Sequence, residues 1–170
     1  TLMNLPARIP ALATTFLFAL VSSVSAHDLT PLFDGTSLEH WTTMDGKPVT
    51  KGWEIVDGSL HLASGKRYGN IITREEFDNF DLSFEWKIAA KGNNGLKYRV
   101  REYGKRTLGC EYQILDDSAH LDSLRPKGLT GSLYDIYEPN AAKVVKPLNE
   151  FNHSRIVVRG NTIQHWLNGR

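Results

Sequence analysis

The sequence predicts an all-β fold, a β-sandwich of antiparallel strands. Three observations predict it: short runs of alternating apolar and polar residues, turn signals between those runs, and no amphipathic helix of useful length. The 170 residues suffice for one domain with a buried core. We expect a leader over residues 1–26 and one domain over residues 27–170.

The first 26 residues have the order of a secretory signal peptide. Arg8 precedes a mostly apolar stretch over residues 9–21, and small residues then lead to Ala26. Val24 and Ala26 suit the small pockets with which signal peptidase reads its substrates. The apolar stretch is shorter than the roughly 20 residues that span a bilayer, so we expect cleavage rather than a membrane anchor. The expected location of the mature protein is the periplasm or the medium, free of the membrane.

Two hairpins are predicted from turn signals. Each turn lies between two short strands: 53–56 and 59–62 flank Asp57-Gly58, and 156–158 and 162–167 flank Gly160-Asn161. Asn168-Gly169 is a third turn signal, yet only Arg170 follows it. We therefore expect the sandwich to be truncated at its C-terminus, with further strands and some site residues missing.

Three strands in the middle of the chain alternate between an apolar and a polar face. They cover Asp81 to Ile88, Leu96 to Arg101 and Cys110 to Leu115. Their polar faces carry, in the same order, Glu85 with Lys87, Arg99 with Arg101, and Glu111 with Gln113. If the three strands pair as antiparallel neighbours, these side chains form one surface. That surface is either a solvated face with cross-strand ion pairs or a cleft in which Glu111 and Asp116 work against Arg99.

Two carboxylates of this region, Glu111 and Asp116, are five residues apart. Strict alternation places them on opposite faces, so both reach one cleft only through a β-bulge or at the strand end. Paired carboxylates can divide the roles of acid and base. The irregular stretch from Asp116 to Pro147, with a further strand expected at 133–137, has the length of a functional loop.

The charge balance of the chain excludes some classes of partner. Lys and Arg total 20 and Asp and Glu total 19, so nothing indicates nucleic acid or an anionic membrane. A balanced, aromatic-rich chain favours a neutral ligand. Cys110 is the single cysteine, which excludes an internal disulfide and a cysteine-based zinc site. The histidines lack metal-ligand spacing, so we expect no cofactor. The oligomeric state is left open.

An ordered series of segments resembles a known family. It comprises Leu32 to Leu38 with Trp41, Trp53 with Asp57-Gly58 and Leu60, Phe80 to Leu82 with Glu85, Gly92 to Leu96 with Arg99, Glu111 to Asp116, Thr130 to Tyr134, Asn152 with Arg155, and Asn168-Gly169. In this order and spacing the segments resemble the 3-keto-disaccharide hydrolase domain, formerly a domain of unknown function. The resemblance runs from about Leu32 to Arg170.

The resemblance implies an exported concanavalin A-like jelly roll that cleaves the glycosidic bond of sugars oxidised at C3. Such chemistry requires a base for the C2 hydrogen and a donor for the developing enolate oxygen. The family has a strand with the pattern Glu-x-Gln-x-x-Asp, and Glu111, Gln113 and Asp116 match this pattern. Glu111 or Asp116 is expected as base or acid, Arg99 as oxyanion partner and Gln113 as a hydroxyl-binding group. Further expected substrate contacts are Glu85, Asn94 and Tyr134.

Two other functions fit this fold class. One is a non-catalytic, lectin-like carbohydrate-binding module. The other is a retaining glucanase, which is disfavoured because its strand needs a carboxylate where this chain has Gln113. Calcium is plausible for the fold, but no acidic loop of metal-ligand spacing supports it.

Overall fold

The computed structural model describes residues 29–63, 68–104 and 106–170. The expected signal peptide, residues 1–26, lies outside the described residues. The chain divides into two compact units, Thr1–Arg74 and Glu75–Arg170. Within these ranges the regular elements are strands, apart from two short 3₁₀ turns at Leu121–Leu124 and Pro126–Gly128. The predicted all-β class is confirmed. No described helix is long and apolar enough to cross a membrane.

The first unit holds two pairs of short antiparallel strands. The strands are β1 (Trp41–Thr43), β2 (Trp53–Val56), β3 (Ser59–Leu62) and β4 (Ile71–Thr73). β1 pairs with β4, and β2 pairs with β3. The β2–β3 turn is the predicted one: Asp57 and Gly58 both have positive φ, 49° and 70°, as a tight two-residue hairpin requires.

The second unit holds a three-stranded sheet and a long hairpin. The strands are β5 (Phe80–Trp86), β6 (Asn93–Tyr103), β7 (Arg106–Leu115), β8 (Asn152–Arg159) and β9 (Thr162–Leu167). The sheet has the order β5-β8-β9, and β6 pairs with β7; all pairings are antiparallel. The β8–β9 hairpin at Gly160-Asn161 confirms the second predicted turn.

The two layers of this unit face each other across an apolar core. Tyr98 and Tyr112 come from the β6–β7 hairpin, and Ile156 and Val158 come from β8. Phe80 and Phe84 of β5 meet the two tyrosines edge to face, with ring centroids 5.7 and 5.6 Å apart. Such packing fixes aromatic geometry as well as burying apolar area. The unit is therefore a β-sandwich, as predicted.

A short chain of hydrogen bonds links the buried polar groups of the core. Trp86 Nε1 donates to Ser154 Oγ at 2.8 Å, and Ser154 Oγ lies 2.7 Å from the Tyr112 hydroxyl. Burial raises the pKa of Tyr112 to about 12, so the phenol stays neutral. The second tyrosine of the core has a partner too, since the Tyr98 hydroxyl lies 2.8 Å from His165 Nε2. These partners satisfy polar groups that would otherwise be costly to bury.

The alternation predicted for Leu96 to Arg101 is wrong beyond Tyr98 because β6 contains a bulge. The register passes from Tyr98↔Cys110 to Arg101↔Leu108, so Arg99 and Val100 together oppose a single residue, Gly109. Arg99 has a φ of 51°, which is rare for a residue with a side chain. A Cβ at Gly109 would lie 2.9 Å from the Tyr98 carbonyl oxygen, so glycine lets the bulge close.

The three middle strands meet the condition for a single polar surface only in part, since β6 and β7 pair but β5 does not join them. β5 pairs with β8 and not with β6, so Glu85 lies on a different sheet from Glu111 and Gln113. The single polar surface expected across the three strands therefore does not form. The strand expected at 133–137 is reduced to isolated bridges, of which Tyr112↔Leu133 places this segment beside β7.

Candidate active site

The candidate site is the face of the β6–β7 hairpin that points away from the core. Tyr112 and Leu96 oppose each other on the core face, so Glu111 and Gln113 lie on the other face. Lys97 is paired with Glu111, and Gly95 is paired with Gln113. This polar face is what the alternation of β7 predicts.

The segment 131–134 continues this face on the other side of β7. Gln113 N–H donates to the Ser132 carbonyl at 3.3 Å, and Tyr134 N–H donates to the Glu111 carbonyl at 3.0 Å. With the bridge between Tyr112 and Leu133, this pattern places Tyr134 opposite Glu111 and Ser132 opposite Gln113. Directly opposite residues of an antiparallel pair share a face, so Tyr134 is a lateral neighbour of Glu111.

Glu111 is the carboxylate of this face that solvent reaches. Its side chain is 21% exposed, and Lys97 Nζ lies 3.4 Å from its Oε2. The side chain passes over Gly95, where an added Cβ would lie 2.2 Å from Glu111 Oε1. Glu111 thus combines access to solvent, a neighbouring cation and room to lie across β6.

Gln113 is only 1% exposed and acts as an anchor in this structure. Its Nε2 donates to Asn93 Oδ1 at 3.4 Å, and Asn93 Nδ2 donates to Asp122 Oδ2 at 3.0 Å. The amide of Asn93 thereby links β7 to the 3₁₀ turn at Leu121–Leu124. Direct hydroxyl binding by Gln113 remains a prediction.

Asp116 is placed as a loop-organising carboxylate. It is 3% exposed and accepts hydrogen bonds from Lys91 N–H at 2.7 Å and from the Ser118 N–H and hydroxyl. These donors, the Ser118 hydroxyl first and the Lys91 N–H second, lower the pKa of Asp116. Because three donors already engage its two oxygens and it is buried, Asp116 is less well placed than Glu111 to take a proton from a substrate.

Arg99 does not lie against the two carboxylates as the cleft hypothesis expected. The bulge turns its guanidinium to Asp78, with Nη2 3.5 Å from Oδ1, whereas the cation beside Glu111 is Lys97. Asn94 is exposed, and its Oδ1 accepts the N–H of Gly95 at 2.8 Å. Its neighbour Asn93 makes the contact to Gln113 instead.

The structure also brings in charged residues that the sequence pattern did not single out. Arg125 Nη2 donates to the Tyr134 hydroxyl and to Asp122 Oδ1, each at 2.8 Å, and Nη1 bonds to Asp135. Arg125 lowers the pKa of Asp122 by direct hydrogen bonding. The position of Lys97 beside Glu111 could have been predicted from the antiparallel register of β6 and β7. Asp122 and Arg125 lie in the irregular stretch, where no periodicity indicates position.

Within the part of the chain that the structure describes, no group of three or more His, Cys, Asp and Glu side chains is arranged to hold a metal ion. The side chains that this face presents are a carboxylate, a lysine, a phenol and an arginine.

Comparisons with known proteins agree on one family. Residues 28–170 match the family described as the 3-keto-alpha-glucoside-1,2-lyase-like domain. The chain is 30% identical over 167 residues to a 3-keto-disaccharide hydrolase of Bacteroides thetaiotaomicron, covering 85% of this chain. It spans 57% of the length of that relative.

Two solved structures from Parabacteroides distasonis, both provisionally named glycosyl hydrolases, are similar to the fold. One has a TM-score of 0.74 at 33% identity, covering 83% of this chain and 68% of its own. The other has a TM-score of 0.65 at 28% identity, covering 82% of this chain and 68% of its own.

Proposed function

The chain belongs to the 3-keto-alpha-glucoside-1,2-lyase-like domain family, and from this membership we propose that it cleaves glycosides whose sugar ring is oxidised at C3. The proposed substrates are 3-keto-disaccharides and other 3-keto-glycosides. Export belongs to the same proposal and is supported by the signal-like order of residues 1–26. The observation that carries the proposal is the solvent-accessible carboxylate of Glu111 on the polar face of β7.

The proposed reaction is an elimination followed by hydration. The C3 ketone acidifies the hydrogen on C2, so Glu111 removes that proton and the electron pair moves to the C3 oxygen as an enolate. When the C3 carbonyl re-forms, a C1=C2 double bond is made and the C1–O bond breaks, with the departing oxygen taking a proton. Water then adds at C1 and a proton returns to C2. The net change is hydrolysis of the glycosidic bond, with no redox partner.

The surroundings of Glu111 support the role of base. Lys97 Nζ lies 3.4 Å from Glu111 Oε2, and Gly95 leaves room for the side chain to lie across β6. Asp116 is the weaker candidate because its oxygens are engaged by Lys91 and Ser118. Its proposed role is to hold together the loop before β6, at Lys91, and the loop after β7, at Ser118.

The test compares the purified protein with its Glu111→Gln variant on a 3-keto-glycoside and on the unoxidised parent glycoside. We expect cleavage of the keto sugar alone, reduced by about 100- to 10,000-fold by the substitution, as for loss of a general base. Glu102→Gln is the matched control, since Glu102 is an exposed carboxylate on the same hairpin. Sugar binding without turnover by any of the proteins would sink the enzyme proposal and leave a lectin-like module.

A further inference from the structure

Tyr134 lies beside Glu111, where its hydroxyl could donate a hydrogen bond to the substrate of the proposed reaction. The antiparallel bridge between Tyr112 and Leu133, with the bond from Tyr134 N–H to the Glu111 carbonyl at 3.0 Å, places Tyr134 opposite Glu111 in register. Such pairs have Cα atoms about 5.5 Å apart and side chains on one face. A sugar ring in contact with the Glu111 carboxylate therefore lies within reach of the Tyr134 phenol.

The phenol of Tyr134 is prepared to donate its hydrogen. Arg125 Nη2 donates to the Tyr134 oxygen at 2.8 Å, and the guanidinium carbon lies 5.5 Å from the ring centroid. An oxygen that accepts from a cation keeps its own O–H for another acceptor and becomes a stronger donor. The guanidinium is itself held by Asp122 at 2.8 Å and by Asp135.

We infer that Tyr134 is a catalytic residue that donates a hydrogen bond to the C3 oxygen of the substrate, and that Arg125 is a positioning residue that orients and polarises it. The inference rests on the proposed elimination. As Glu111 takes the C2 proton, negative charge collects on the C3 oxygen, and the Tyr134 O–H stabilises that charge. The O–H bond need not break, so the charge returns to the ring when the C1–O bond is cleaved.

The other cations near the face are less suitable donors for this oxygen. Lys97 is engaged with Glu111 and so stabilises the base rather than the product of deprotonation. Arg99, the oxyanion partner expected from the sequence, is directed to Asp78 by the bulge. Tyr134 combines a free hydrogen, a shared face with Glu111 and a fixed orientation.

The first test is Tyr134→Phe, which keeps the ring and removes only the hydroxyl. We expect kcat on a 3-keto-glycoside to fall roughly 100- to 1,000-fold, the usual cost of removing one oxyanion donor. Tyr137→Phe is the matched control, because Tyr137 is an exposed tyrosine of the same segment. Circular dichroism and thermal unfolding confirm that both variants remain folded.

Two further measurements distinguish the C3 oxygen from other targets of the phenol. A substrate with a nitrophenol leaving group needs no proton on departure, so the Tyr134→Phe loss should be the same as with an alkyl leaving group. Hydrogen–deuterium exchange at C2 of a 3-keto sugar that has no leaving group reports enolate formation alone, and it should slow by the same factor.

Arg125 is tested with Arg125→Gln and the double variant. Arg125→Gln should lower kcat with little change in KM, and it should add almost nothing in the Tyr134→Phe background, since it acts through the phenol. If Arg125 had a purely structural role, Arg125→Gln would lower kcat by the same factor in the wild type and in the Tyr134→Phe background.

The outcomes separate the inference from the function it rests on. Full kcat in Tyr134→Phe with an active wild type overturns the inference and leaves the proposed function standing. A loss that vanishes with the nitrophenol substrate also overturns it, because Tyr134 would then protonate the leaving group. A wild type that neither cleaves nor exchanges any 3-keto sugar overturns the proposed function and the inference together.

Discussion

Glu111 Oε1 lies 2.2 Å from the point that a Cβ on Gly95 would occupy. Real non-bonded atoms do not approach so closely, so the carboxylate holds its position only because residue 95 has no side chain. Gly95 has no unusual φ that would demand glycine on its own account. The requirement for glycine here comes from the proposed base on the neighbouring strand.

The first prediction is that Gly95→Ala displaces the Glu111 carboxylate and lowers turnover of a 3-keto-glycoside. A misplacement of about 1 Å in a catalytic group costs about 100-fold in rate. Steady-state kinetics should show this loss in kcat. Gly109→Ala is the control, since its Cβ would press on the β6 backbone at Tyr98 and Val100. It should lower the midpoint of thermal unfolding but not kcat per folded molecule. Equal kcat in Gly95→Ala and the wild type would contradict the role given to Gly95.

The second prediction is that Asp116 contributes mainly to the stability of the fold and only indirectly to the reaction. Its carboxylate ties Lys91, before β6, to Ser118, after β7. Asp116→Ala should lower the midpoint of thermal unfolding by several degrees and weaken activity mainly through loosening of these loops. Asp117→Ala is the comparison variant, because the neighbouring carboxylate of Asp117 binds Lys143 and the Thr130 N–H and not the two loops that Asp116 joins. A fully stable Asp116→Ala variant with no activity would instead place Asp116 in the chemistry.

The effect of Asp116 should depend on pH in one direction. Its pKa in the folded protein is lowered below the ordinary 3.8, first by the Ser118 hydroxyl and then by the Lys91 N–H. Its stabilising contribution is therefore complete above pH 3.8 and is lost as the pH falls through the folded-state pKa. The stability difference between the wild type and Asp116→Ala should shrink over this acid range in urea titrations. A difference that stayed constant would show that the ionised carboxylate is not what stabilises the loops.

Local chemistry made the hairpins predictable from sequence. Asp57-Gly58 and Gly160-Asn161 both carry residues that accept positive φ, and each turn joins strands that are adjacent in the chain. The polar face with Glu111 and Gln113 was predictable for a similar reason, since strict alternation holds throughout Cys110 to Leu115.

Long-range pairing was not predictable from the same patterns. β5 pairs with β8, at Phe80↔Val158 and Trp86↔Asn152, although β6 and β7 lie between them in the chain. Alternation says which face of β5 is apolar but not which strand it meets. The sequence could therefore group Glu85 with the polar residues of the hairpin only on the condition that β5 pairs with β6, and this condition is not met.

Two local departures from regular structure limit what the sequence shows about the site. The bulge at Arg99 interrupts the alternation of β6, and the identity of an arginine does not reveal that its φ is positive. Asp122 lies in the first 3₁₀ turn and Arg125 lies between the two turns, whose positions follow from tertiary contacts rather than from a hydrophobic period. The family resemblance indicated Tyr134 as a site residue, whereas its hydrogen bond with Arg125 is visible only in the structure.

The last prediction is that His165 makes the stability of the fold depend on pH near neutrality. Burial lowers the pKa of its imidazole below the ordinary 6.5. Its Nδ1 lies 3.2 Å from the Gly131 carbonyl, and its Nε2 lies 2.8 Å from the Tyr98 hydroxyl. Since a carbonyl can only accept, Nδ1 carries the hydrogen and Nε2 accepts from Tyr98, which describes a neutral ring.

The unfolded chain binds a proton at this histidine below pH 6.5, whereas the folded chain resists it. The free energy of unfolding should therefore be highest above pH 6.5 and fall as the pH drops toward the folded-state pKa. His165→Gln can make the same two hydrogen bonds without titrating, so its unfolding free energy should change less between pH 7 and pH 5. Tyr98→Phe removes one bond but leaves the imidazole buried, so it should keep the wild-type pH dependence. Equal slopes for the wild type and His165→Gln in urea titrations would show that protonation of other groups governs this range.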